Sequence, residues 1–441
     1  MADDFYVINL IAKDGETVSV QDTGLGPDWL VFTGGFEEPT SIRMAYQVDN
    51  GFTFASSCSY TVRNNQGVLV TSTVILKAAA DNARGSTGED FIQGNELDNI
   101  IYGDFDEDGA GLNDTLWGFD GNDFIYGGGG NDEITGDGGS DFLFGNAGAD
   151  TISGGGGVDI IEGGAGGDVM SGGGDLQDRL SYSTSSEGVT INITAGEATI
   201  GIGGDALGDT ITGFSYVIGS DHDDIIRDTV TGTISFGYNK SVFDAGNGDD
   251  RLFLGGGNDT GYGGDGRDEI QGGEGKDSLV GSSGDDLLYG GVADDTSNGG
   301  AGNDYLEGGD GRDLMEGGTG NDTLFGAGNA DSLTGGAGTD VFSFRKPGDS
   351  GGTDRTRDTI TDFARGDTIN LHALDANSAT ARNDDFVFIG RLPFSGAAGE
   401  VRLEDHVDGT LVLLNLDRDS TPEMSILLTD VFVVREEAFV F

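Results

Sequence analysis

The residues Gly299–Glu307 read Gly-Gly-Ala-Gly-Asn-Asp-Tyr-Leu-Glu, and Gly317–Phe325 read Gly-Gly-Thr-Gly-Asn-Asp-Thr-Leu-Phe. Both segments fit one nine-residue frame, Gly-Gly-x-Gly-x-Asp-x-U-x, in which U is a large apolar residue. The aspartate of this frame occurs eighteen times in phase, in two arrays. Glycine-rich composition alone does not produce such a register, so this frame decides the fold.

The two arrays keep the nine-residue spacing without a slip. The first array holds Asp114, Asp123, Asp132, Asp141, Asp150, Asp159 and Asp168. The second array holds Asp250, Asp259, Asp268, Asp277, Asp286, Asp295, Asp304, Asp313, Asp322, Asp331 and Asp340. An earlier copy carries Asp90, and the copy after it carries Asn99 at the aspartate position, which predicts a weaker site there.

The spacing predicts how the chain winds. Glycine supplies turn conformations that other residues avoid, and the x-U-x segments fit short strands whose U side chain points inward. Two nonapeptides then form one coil of 18 residues, so aspartates two repeats apart stack along the same edge. Asp123, Asp141 and Asp159 are expected on one edge, with the intervening aspartates on the other. The inward column of the first array is thin: Ile125, Ile134, Leu143, Ile152, Ile161 and Met170.

Stacked aspartates and turn carbonyls provide an all-oxygen environment for a cation. Calcium prefers flexible oxygen-only sites of high coordination number, whereas magnesium demands a tighter octahedron and keeps several waters. The sequence therefore predicts multiple Ca2+ ions, bound by Asp90 and by the aspartates of both arrays. The backbone carbonyls expected to complete these sites belong to Gly127, Gly129, Gly136, Gly138, Gly299, Ala301, Gly308, Asp310, Gly317 and Thr319.

The charge of the chain excludes several classes of function. Its 441 residues include 78 acidic and 22 basic ones, for a formal net charge of −56. This excludes an electrostatic nucleic-acid binder, which needs a basic face, and argues against attraction to anionic membranes. The single cysteine, Cys58, excludes an intrachain disulfide framework. No apolar run reaches the about 18 residues of a membrane span. A solvated, disordered acidic chain is the alternative interpretation, but the acids here follow the repeat.

Composition divides the chain into five segments of an all-β fold. The predicted order is a small N-terminal β domain, a first array, a degenerate β spacer, a second array and a C-terminal cap: residues 1–84, 85–181, 182–244, 245–344 and 345–441. Alternating polarity in the N-terminal segment predicts an antiparallel hairpin from Ser59 to Leu76. Inside the first array, Asp104–Gly109 resembles the first half of an EF-hand loop without its final glutamate. An extra calcium loop and a solvated acidic bulge both remain open there.

Residues 245–441 resemble RTX, or haemolysin-type calcium-binding, proteins that end in a serralysin-like C-terminal region. The resemblance rests on the repeats of the second array and on three later stretches: Asp358–Leu371, Phe386–Gly390 and Phe394–Arg402. It implies two calcium-bound parallel β-rolls, of which the second is followed by a β-sandwich-like cap. A further ion-binding loop of that family corresponds to residues 415–423, but its glycines are absent here, so an ion at that loop is left open.

The same resemblance implies how the protein leaves the cell. The first residues lack the basic region of a secretory signal peptide. Proteins of the resembled class carry an uncleaved C-terminal signal for a type I secretion exporter, and Glu436–Phe441 fits its acidic-then-apolar character. The resemblance therefore implies a secreted protein, outside or on the surface of a Gram-negative bacterium, with that exporter as a partner.

The sequence predicts no enzyme. A serralysin-type protease needs a His-Glu-x-x-His zinc motif, and the three histidines, His222, His372 and His406, do not form one. Gly348–Gly352 reads Gly-Asp-Ser-Gly-Gly, as in serine proteases, but a nucleophilic serine needs a histidine base and an orienting carboxylate.

A non-catalytic surface, matrix or adhesion component is therefore predicted, with extracellular glycans or a cell surface as candidate partners. The alternative is a secreted polysaccharide- or ligand-acting enzyme whose activity lies in the N-terminal segment. Paired acids support glycoside chemistry, and acids such as Glu37, Glu38 and Asp49 are available there.

Overall fold

The fold comes from a computed structural model. It describes residues 4–9, 28–36, 56–64, 72–75, 82–85, 89–104, 111–173, 177–193, 199–228, 240–353, 355–377, 384–431 and 433–441. The chain divides into two compact units, residues 1–191 with 197–218 and residues 192–196 with 219–441. Each compact unit therefore spans more than one of the five predicted segments, and the boundaries between those segments stay a prediction. Within the described ranges, no helix has the length and apolar character of a membrane span.

Short strands make up nearly all of the regular structure. The strands before residue 219 are β1 (Asp4–Asn9), β2 (Asp28–Phe36), β3 (Ser56–Asn64), β4 (Ser72–Ile75), β5 (Asn82–Arg84), β6 (Asp90–Gln93), β7 (Ile100–Tyr102), β8 (Thr115–Asp120), β9 (Phe124–Gly129), β10 (Glu133–Gly138), β11 (Phe142–Ala147), β12 (Thr151–Gly156), β13 (Ile160–Ala165), β14 (Val169–Gly173), β15 (Arg179–Ser181), β16 (Thr190–Ile193), β17 (Thr199–Ile202), β18 (Thr210–Thr212) and β19 (Tyr216–Ile218). A 3-10 turn, Gly204–Ala206, lies between β17 and β18.

The later strands repeat the same length and spacing. They are β20 (Ile225–Asp228), β21 (Val242–Asn247), β22 (Arg251–Phe253), β23 (Thr260–Asp265), β24 (Glu269–Glu274), β25 (Ser278–Ser283), β26 (Leu287–Val292), β27 (Thr296–Ala301), β28 (Tyr305–Asp310), β29 (Leu314–Gly320), β30 (Thr323–Gly328), β31 (Ser332–Gly338), β32 (Val341–Ser343), β33 (Asp358–Ile360), β34 (Thr368–Asn370), β35 (Val387–Gly390), β36 (Glu400–His406), β37 (Gly409–Asn415), β38 (Met424–Thr429) and β39 (Phe439–Val440). A second 3-10 turn, Glu436–Ala438, precedes β39.

Alternate strands of the first unit stack in parallel in two sheets. In one sheet β9 pairs with β11 and β11 with β13, so that Phe142 lies beside Phe124 and Ile160. In the other sheet β10 pairs with β8 and β12 in the same register of 18 residues. The inward column is buried throughout: Ile125, Ile134, Leu143, Ile152, Ile161 and Met170. This parallel winding confirms the predicted all-β roll.

The N-terminal hairpin prediction is wrong. Strand β3 pairs in parallel with β2 and β5, whereas β4 pairs in parallel with β6 in the other sheet. The described N-terminal strands therefore continue the two parallel sheets and do not form an antiparallel ladder with each other. Alternating polarity indicates a strand with one buried face, but it does not distinguish a parallel from an antiparallel partner.

The second unit repeats the two parallel stacks and then extends them. Strands β21, β23, β25, β27, β29 and β31 form one stack, and β20, β22, β24, β26, β28, β30 and β32 form the other. Beyond the last repeat, β33 continues the first stack and β34 the second. The two stacks therefore cross the sequence boundary at residue 345 without a break.

The C-terminal cap closes both stacks of the second unit. Strands β36, β37 and β38 form an antiparallel meander, and β38 then pairs in parallel with β33. The last strand, β39, pairs in parallel with β34, and the Phe439 side chain is buried there. The final described residues are thus part of the folded cap.

Candidate metal centres

The array aspartates form two continuous ladders of buried carboxylates. Each aspartate stands just before a strand, and each is at most 3% exposed. From Asp114 to Asp150 and from Asp250 to Asp322, the backbone N–H of each donates to Oδ1 of the aspartate 18 residues later, with N···O distances of 2.7 to 3.0 Å. The two edges predicted from the spacing are therefore present. Asp90 extends this arrangement, because its N–H donates to Oδ1 of Asp114 at 2.7 Å.

The second carboxylate oxygen of these residues is left for another partner. Burying a charged oxygen without a compensating interaction is costly, so a row of such atoms requires a neutralising group. Within the described residues, Oδ2 is buried and accepts no hydrogen bond in Asp114, Asp123, Asp132, Asp141, Asp150, Asp168, Asp250, Asp259, Asp268, Asp277, Asp286, Asp295, Asp304, Asp313, Asp322 and Asp331. A divalent cation fits this requirement.

At most rungs of both arrays, a glycine leaves room beside Oδ2. A Cβ atom added to Gly299 would lie 2.4 Å from Oδ2 of Asp304 and 2.6 Å from the carbonyl oxygen of Gly317. We call this space, in front of the first glycine of a repeat, the glycine cradle. Gly299 does not have a positive φ, so a glycine is needed there for space and not for the backbone conformation. The next residue, Gly300, has φ of 104° and is required for the turn.

The same arrangement recurs along both arrays. The carbonyl oxygens of Gly127, Gly136, Gly299, Gly308 and Gly317 each face a cradle one coil earlier, beside an aspartate Oδ2. These five predicted carbonyl ligands therefore lie beside the carboxylates. The residues present fit calcium: Oδ2 and a turn carbonyl would hold the ion, which would neutralise the buried negative charge.

The residues at the third position of the repeat make other contacts. The carbonyl oxygens of Gly138, Ala301, Asp310 and Thr319 each accept a backbone hydrogen bond along the stack, at 2.6 to 2.8 Å. Gly129 donates its N–H to Oδ2 of Asp104 at 2.7 Å. The assignment of these five residues as calcium ligands stays a prediction.

Two rungs of the second array lack the cradle glycine. Ala245 stands five residues before Asp250, and Leu254 stands five residues before Asp259. Both side chains are fully buried. At these rungs a side chain begins where the other repeats leave open space, so the structure forms no open cradle for Asp250 and Asp259.

Burial raises the pKa of the ladder carboxyls. Desolvation is the main cause, with neighbouring aspartates adding to it, while the backbone hydrogen bond to Oδ1 acts in the opposite direction. The pKa rises to about 9 for Asp114, about 8 for Asp250 and Asp295, and about 6 for Asp304. Without a cation, the carboxyls of Asp114, Asp250 and Asp295 therefore stay mostly protonated at neutral pH, whereas Asp304 ionises but at a higher pH than an ordinary carboxyl.

The structure adds rungs that the nine-residue count misses. Asp168 donates its N–H to Asp209, Asp331 to Asp358, and Asp340 to Asp367, across insertions that break the period. Asp224 precedes Asp250 in the same way, and the Ser220 N–H and hydroxyl donate to its two carboxylate oxygens. Each added aspartate directly precedes a strand or, for Asp358, begins one, so the shorter signal Asp-x-U identifies these positions even when the glycines are lost.

The nine-residue count also does not reveal a second ladder, which consists of exposed side chains. The residue before the aspartate accepts a hydrogen bond through its side chain from the backbone N–H one coil later, as Asn303 accepts from Asn321 at 2.9 Å. Asn113, Asn131 and Asn122 do the same in the first array. This ladder needs no ion, and it explains why asparagine or aspartate is frequent at that position.

The remaining candidate residues have structural partners or fall outside the described residues. Ser350 is fully buried, and its hydroxyl donates to the Ser425 carbonyl oxygen at 2.6 Å and accepts from the Asp358 N–H at 2.8 Å. In the loop at residues 415–423, Asp417, Asp419 and Glu423 bring carboxylate oxygens within 4.8 Å of one another. Backbone N–H groups already donate to Asp419 and Glu423.

Several predicted acids cannot be placed. Glu37, Glu38 and Asp49 lie outside the described residues, as does the stretch 105–110 of the EF-hand-like loop. The loop's first residue, Asp104, is buried and accepts the Gly129 N–H.

Comparison with known proteins identifies the repeats. The family model described as the RTX calcium-binding nonapeptide repeat (4 copies) matches residues 78–110, 108–134, 135–170, 241–270, 271–306 and 307–342. No curated protein matches the chain. Among solved structures, the solution structure of the AlgE6R3 subunit from the Azotobacter vinelandii mannuronan C5-epimerase is 26% identical over 36% of this chain and 80% of its own, with a TM-score of 0.18. The chain thus carries RTX calcium-binding repeats, and multiple Ca2+ ions are its cofactor.

Proposed function

We propose that the chain is a non-catalytic, secreted calcium-binding protein that folds on calcium after export. Its site of action is the extracellular space or surface of a Gram-negative bacterium, where it serves as a surface, matrix or adhesion component. The observation that carries this proposal is the double ladder of buried carboxylate oxygens facing glycine cradles. Such a ladder carries its full negative charge only where a cation is abundant.

Linkage gives the free energy that bound calcium would add to folding. A site that binds with a Kd of about 1 mM, as in extracellular modules, contributes about 1.4 kcal/mol at about 10 mM calcium. Roughly ten such sites contribute as much free energy as the about 5–15 kcal/mol by which typical domains are stable. Calcium concentration therefore decides whether the arrays fold.

Folding that depends on calcium also suits export through a narrow channel. Cytosolic free calcium is far below the range of such sites, so the acidic arrays stay extended inside the cell and are competent for threading through an exporter. Outside, calcium folds the emerging chain and opposes its return. The C-terminal strands β38 and β39 then cover the ends of the two stacks in the second unit, as caps of repeat proteins do.

The absence of catalysis is part of this proposal. Two hydrogen bonds of the Ser350 hydroxyl supply a structural reason for the Gly-Asp-Ser-Gly-Gly motif. His372 contacts the Phe441 carbonyl oxygen through Nδ1 at 3.1 Å, and Nδ1 of His406 accepts the Asp408 N–H at 3.3 Å. These contacts support roles within the fold for the motif and for His372 and His406.

Secretion is tested in a bacterial host with and without a type I exporter. The full chain is expected in the medium only with the exporter, and a variant lacking residues 436–441 is expected to stay inside. Because Phe439 is buried in the cap, the purified variant is also refolded in calcium and its circular dichroism compared with the parent. Normal export of the shortened chain, with an intact envelope, would make the export proposal wrong.

Binding and catalysis are tested on the calcium-loaded full chain. A glycan array and whole-cell adhesion identify the extracellular partner, while reducing-sugar release and product spectrometry monitor turnover of polysaccharides. Binding without turnover supports the adhesion role. Turnover that persists after purification to homogeneity would establish the enzyme alternative.

A further inference from the structure

One rung of the first unit differs from the others in the partner of its second carboxylate oxygen. Asp209 is the last aspartate of the ladder that runs through Asp132, Asp150 and Asp168. Its Oδ1 accepts the Asp168 N–H at 2.8 Å, just as Oδ1 of Asp168 accepts the Asp150 N–H. Its Oδ2 accepts the Tyr182 hydroxyl, also at 2.8 Å. Tyr182 is 1% exposed and Asp209 is fully buried, so this hydrogen bond is shielded from solvent.

The surroundings of Asp209 also lack a glycine cradle. The glycine five residues before it, Gly204, faces the Glu187 carbonyl oxygen and the Ser185 hydroxyl instead of the Asp209 carboxylate. At Asp150, by contrast, a Cβ on Gly145 would lie 2.3 Å from Oδ2 and 2.5 Å from the Gly163 carbonyl oxygen. Asp209 therefore keeps the hydrogen bond of the ladder and loses both features of an ion site.

We propose that Tyr182 terminates the calcium ladder of the first unit, with its hydroxyl in the place that a calcium ion takes at the open rungs. This rests on the calcium-binding function of the arrays. A phenol O–H supplies one donor to a buried carboxylate and thereby replaces the electrostatic compensation that the ion provides elsewhere. Asp209 binds no calcium, and the coil that carries it is closed without an ion.

Three isosteric variants of the full chain test the proposal by calcium stoichiometry. Asp150→Asn removes a carboxylate that faces a cradle, and we expect it to bind at least one ion fewer than the parent in titration calorimetry and native mass spectrometry. Asp209→Asn keeps a hydrogen-bonding group toward Tyr182, and we expect an unchanged ion count and an unchanged calcium midpoint. Tyr182→Phe leaves Oδ2 of Asp209 without a donor, and we expect a lower melting temperature at saturating calcium.

The outcomes separate this proposal from the array function. If Asp150→Asn and Asp209→Asn each lose an ion, Asp209 is a calcium ligand and the proposal is wrong. If Asp150→Asn keeps every ion, the calcium role of the array itself fails. Should Asp209→Asn not fold, Tyr182→Phe decides: a lower melting temperature without loss of an ion supports the proposal, and a lost ion or an unchanged melting temperature overturns it.

Discussion

The first array, residues 85–181, and the second array, residues 245–344, have the same register but different side chains around the coils. In the first array every inward U position is apolar. Outside, Phe124 stacks on Phe142 with ring centroids 4.5 Å apart, and Tyr126 stacks on Phe144 at 4.8 Å. Such contacts contribute beyond the apolar area that they bury, and they need no ion.

The second array has weaker apolar packing. Two of its inward positions are not large and apolar: Gly261 and Ser297. The first gap is filled by Leu254, whose methyl groups lie 3.3 Å from a Cβ built on Gly261. The second is not compensated, because the Ser297 hydroxyl is buried and has no hydrogen-bond partner. The comparison indicates that the longer array depends more on its cations, although its repeats are the more regular ones.

Calcium removal is expected to have the largest effect. As calcium is lowered, both arrays should lose β signal in circular dichroism, and amide exchange should rise in residues 260–340 at a higher calcium concentration than in residues 115–173. The reason is that apolar stacking supports the first array after its ions leave. Hydrogen exchange resolved by peptide checks the order.

Magnesium is the matched control. At equal concentration it should restore much less structure, because it demands a tight octahedron and retains its waters. Simultaneous exposure of both arrays would contradict the comparison, and full β content in chelator would contradict calcium-dependent folding altogether.

Acid is expected to replace calcium in part. The raised pKa values, about 9 for Asp114 and about 8 for Asp295, mean that the folded state binds more protons than the unfolded chain above the ordinary carboxyl range. Linkage then favours folding as pH falls toward about 4, and this stabilisation is lost as pH rises through about 6 to 9. Calcium-free protein should gain β signal between pH 8 and pH 5.

The opposite pH dependence is expected for calcium binding, because protons compete for the same carboxylates. The calcium midpoint should therefore rise as pH falls. A calcium-free chain equally unfolded at pH 5 and pH 8 would show that carboxylate charge is not what holds the arrays open.

The regular repeat made the winding of the chain predictable from the sequence. Where insertions interrupt the repeat, the prediction failed. Spacing alone gave the coil length, the inward column and the aspartate edges, because steric and hydrogen-bonding demands recur identically in each copy. It did not reveal Asp209 or Asp358, since insertions change the sequence distance while the chain returns to the same rung. Nor did it show that β3 and β4 lie in different sheets, which depends on tertiary pairing.

Among single substitutions, Asp304→Asn should reduce calcium binding more than Asp259→Asn. Both carboxylates are buried, both have an Oδ2 without a hydrogen-bond partner, and burial raises the pKa of both to about 6. Only Asp304 faces an open cradle, whereas Leu254 stands at the cradle position of Asp259. We expect Asp304→Asn to lose one ion in titration calorimetry and Asp259→Asn to lose none. Equal losses would show that the cradle glycine does not define the site.

Gly299→Ala tests the cradle without removing a carboxylate. The added methyl group would lie 2.4 Å from Oδ2 of Asp304 and 2.6 Å from the Gly317 carbonyl oxygen, so it must displace the two oxygens that would hold the ion. Backbone strain is not expected, because Gly299 does not have a positive φ. The calcium midpoint should rise, although less than in Asp304→Asn, since the carboxylate remains. Thr296→Ser, at an exposed position of the preceding repeat, is the control and should leave the midpoint unchanged.

The smallest effect is expected from Ser297→Ala, and its sign is opposite. The substitution removes a buried hydroxyl that has no partner, at an inward position between Leu279 and Met315. Removing an unsatisfied polar group while keeping the Cβ stabilises by about 1 kcal/mol, so the second array should fold at a lower calcium concentration. The calcium midpoint followed by circular dichroism measures the shift. Ser278→Ala, on the outward side of a neighbouring strand, should leave it unchanged. A higher midpoint for Ser297→Ala would show that the hydroxyl stabilises the coil, and the second array would then not owe its calcium dependence to a weak inward column.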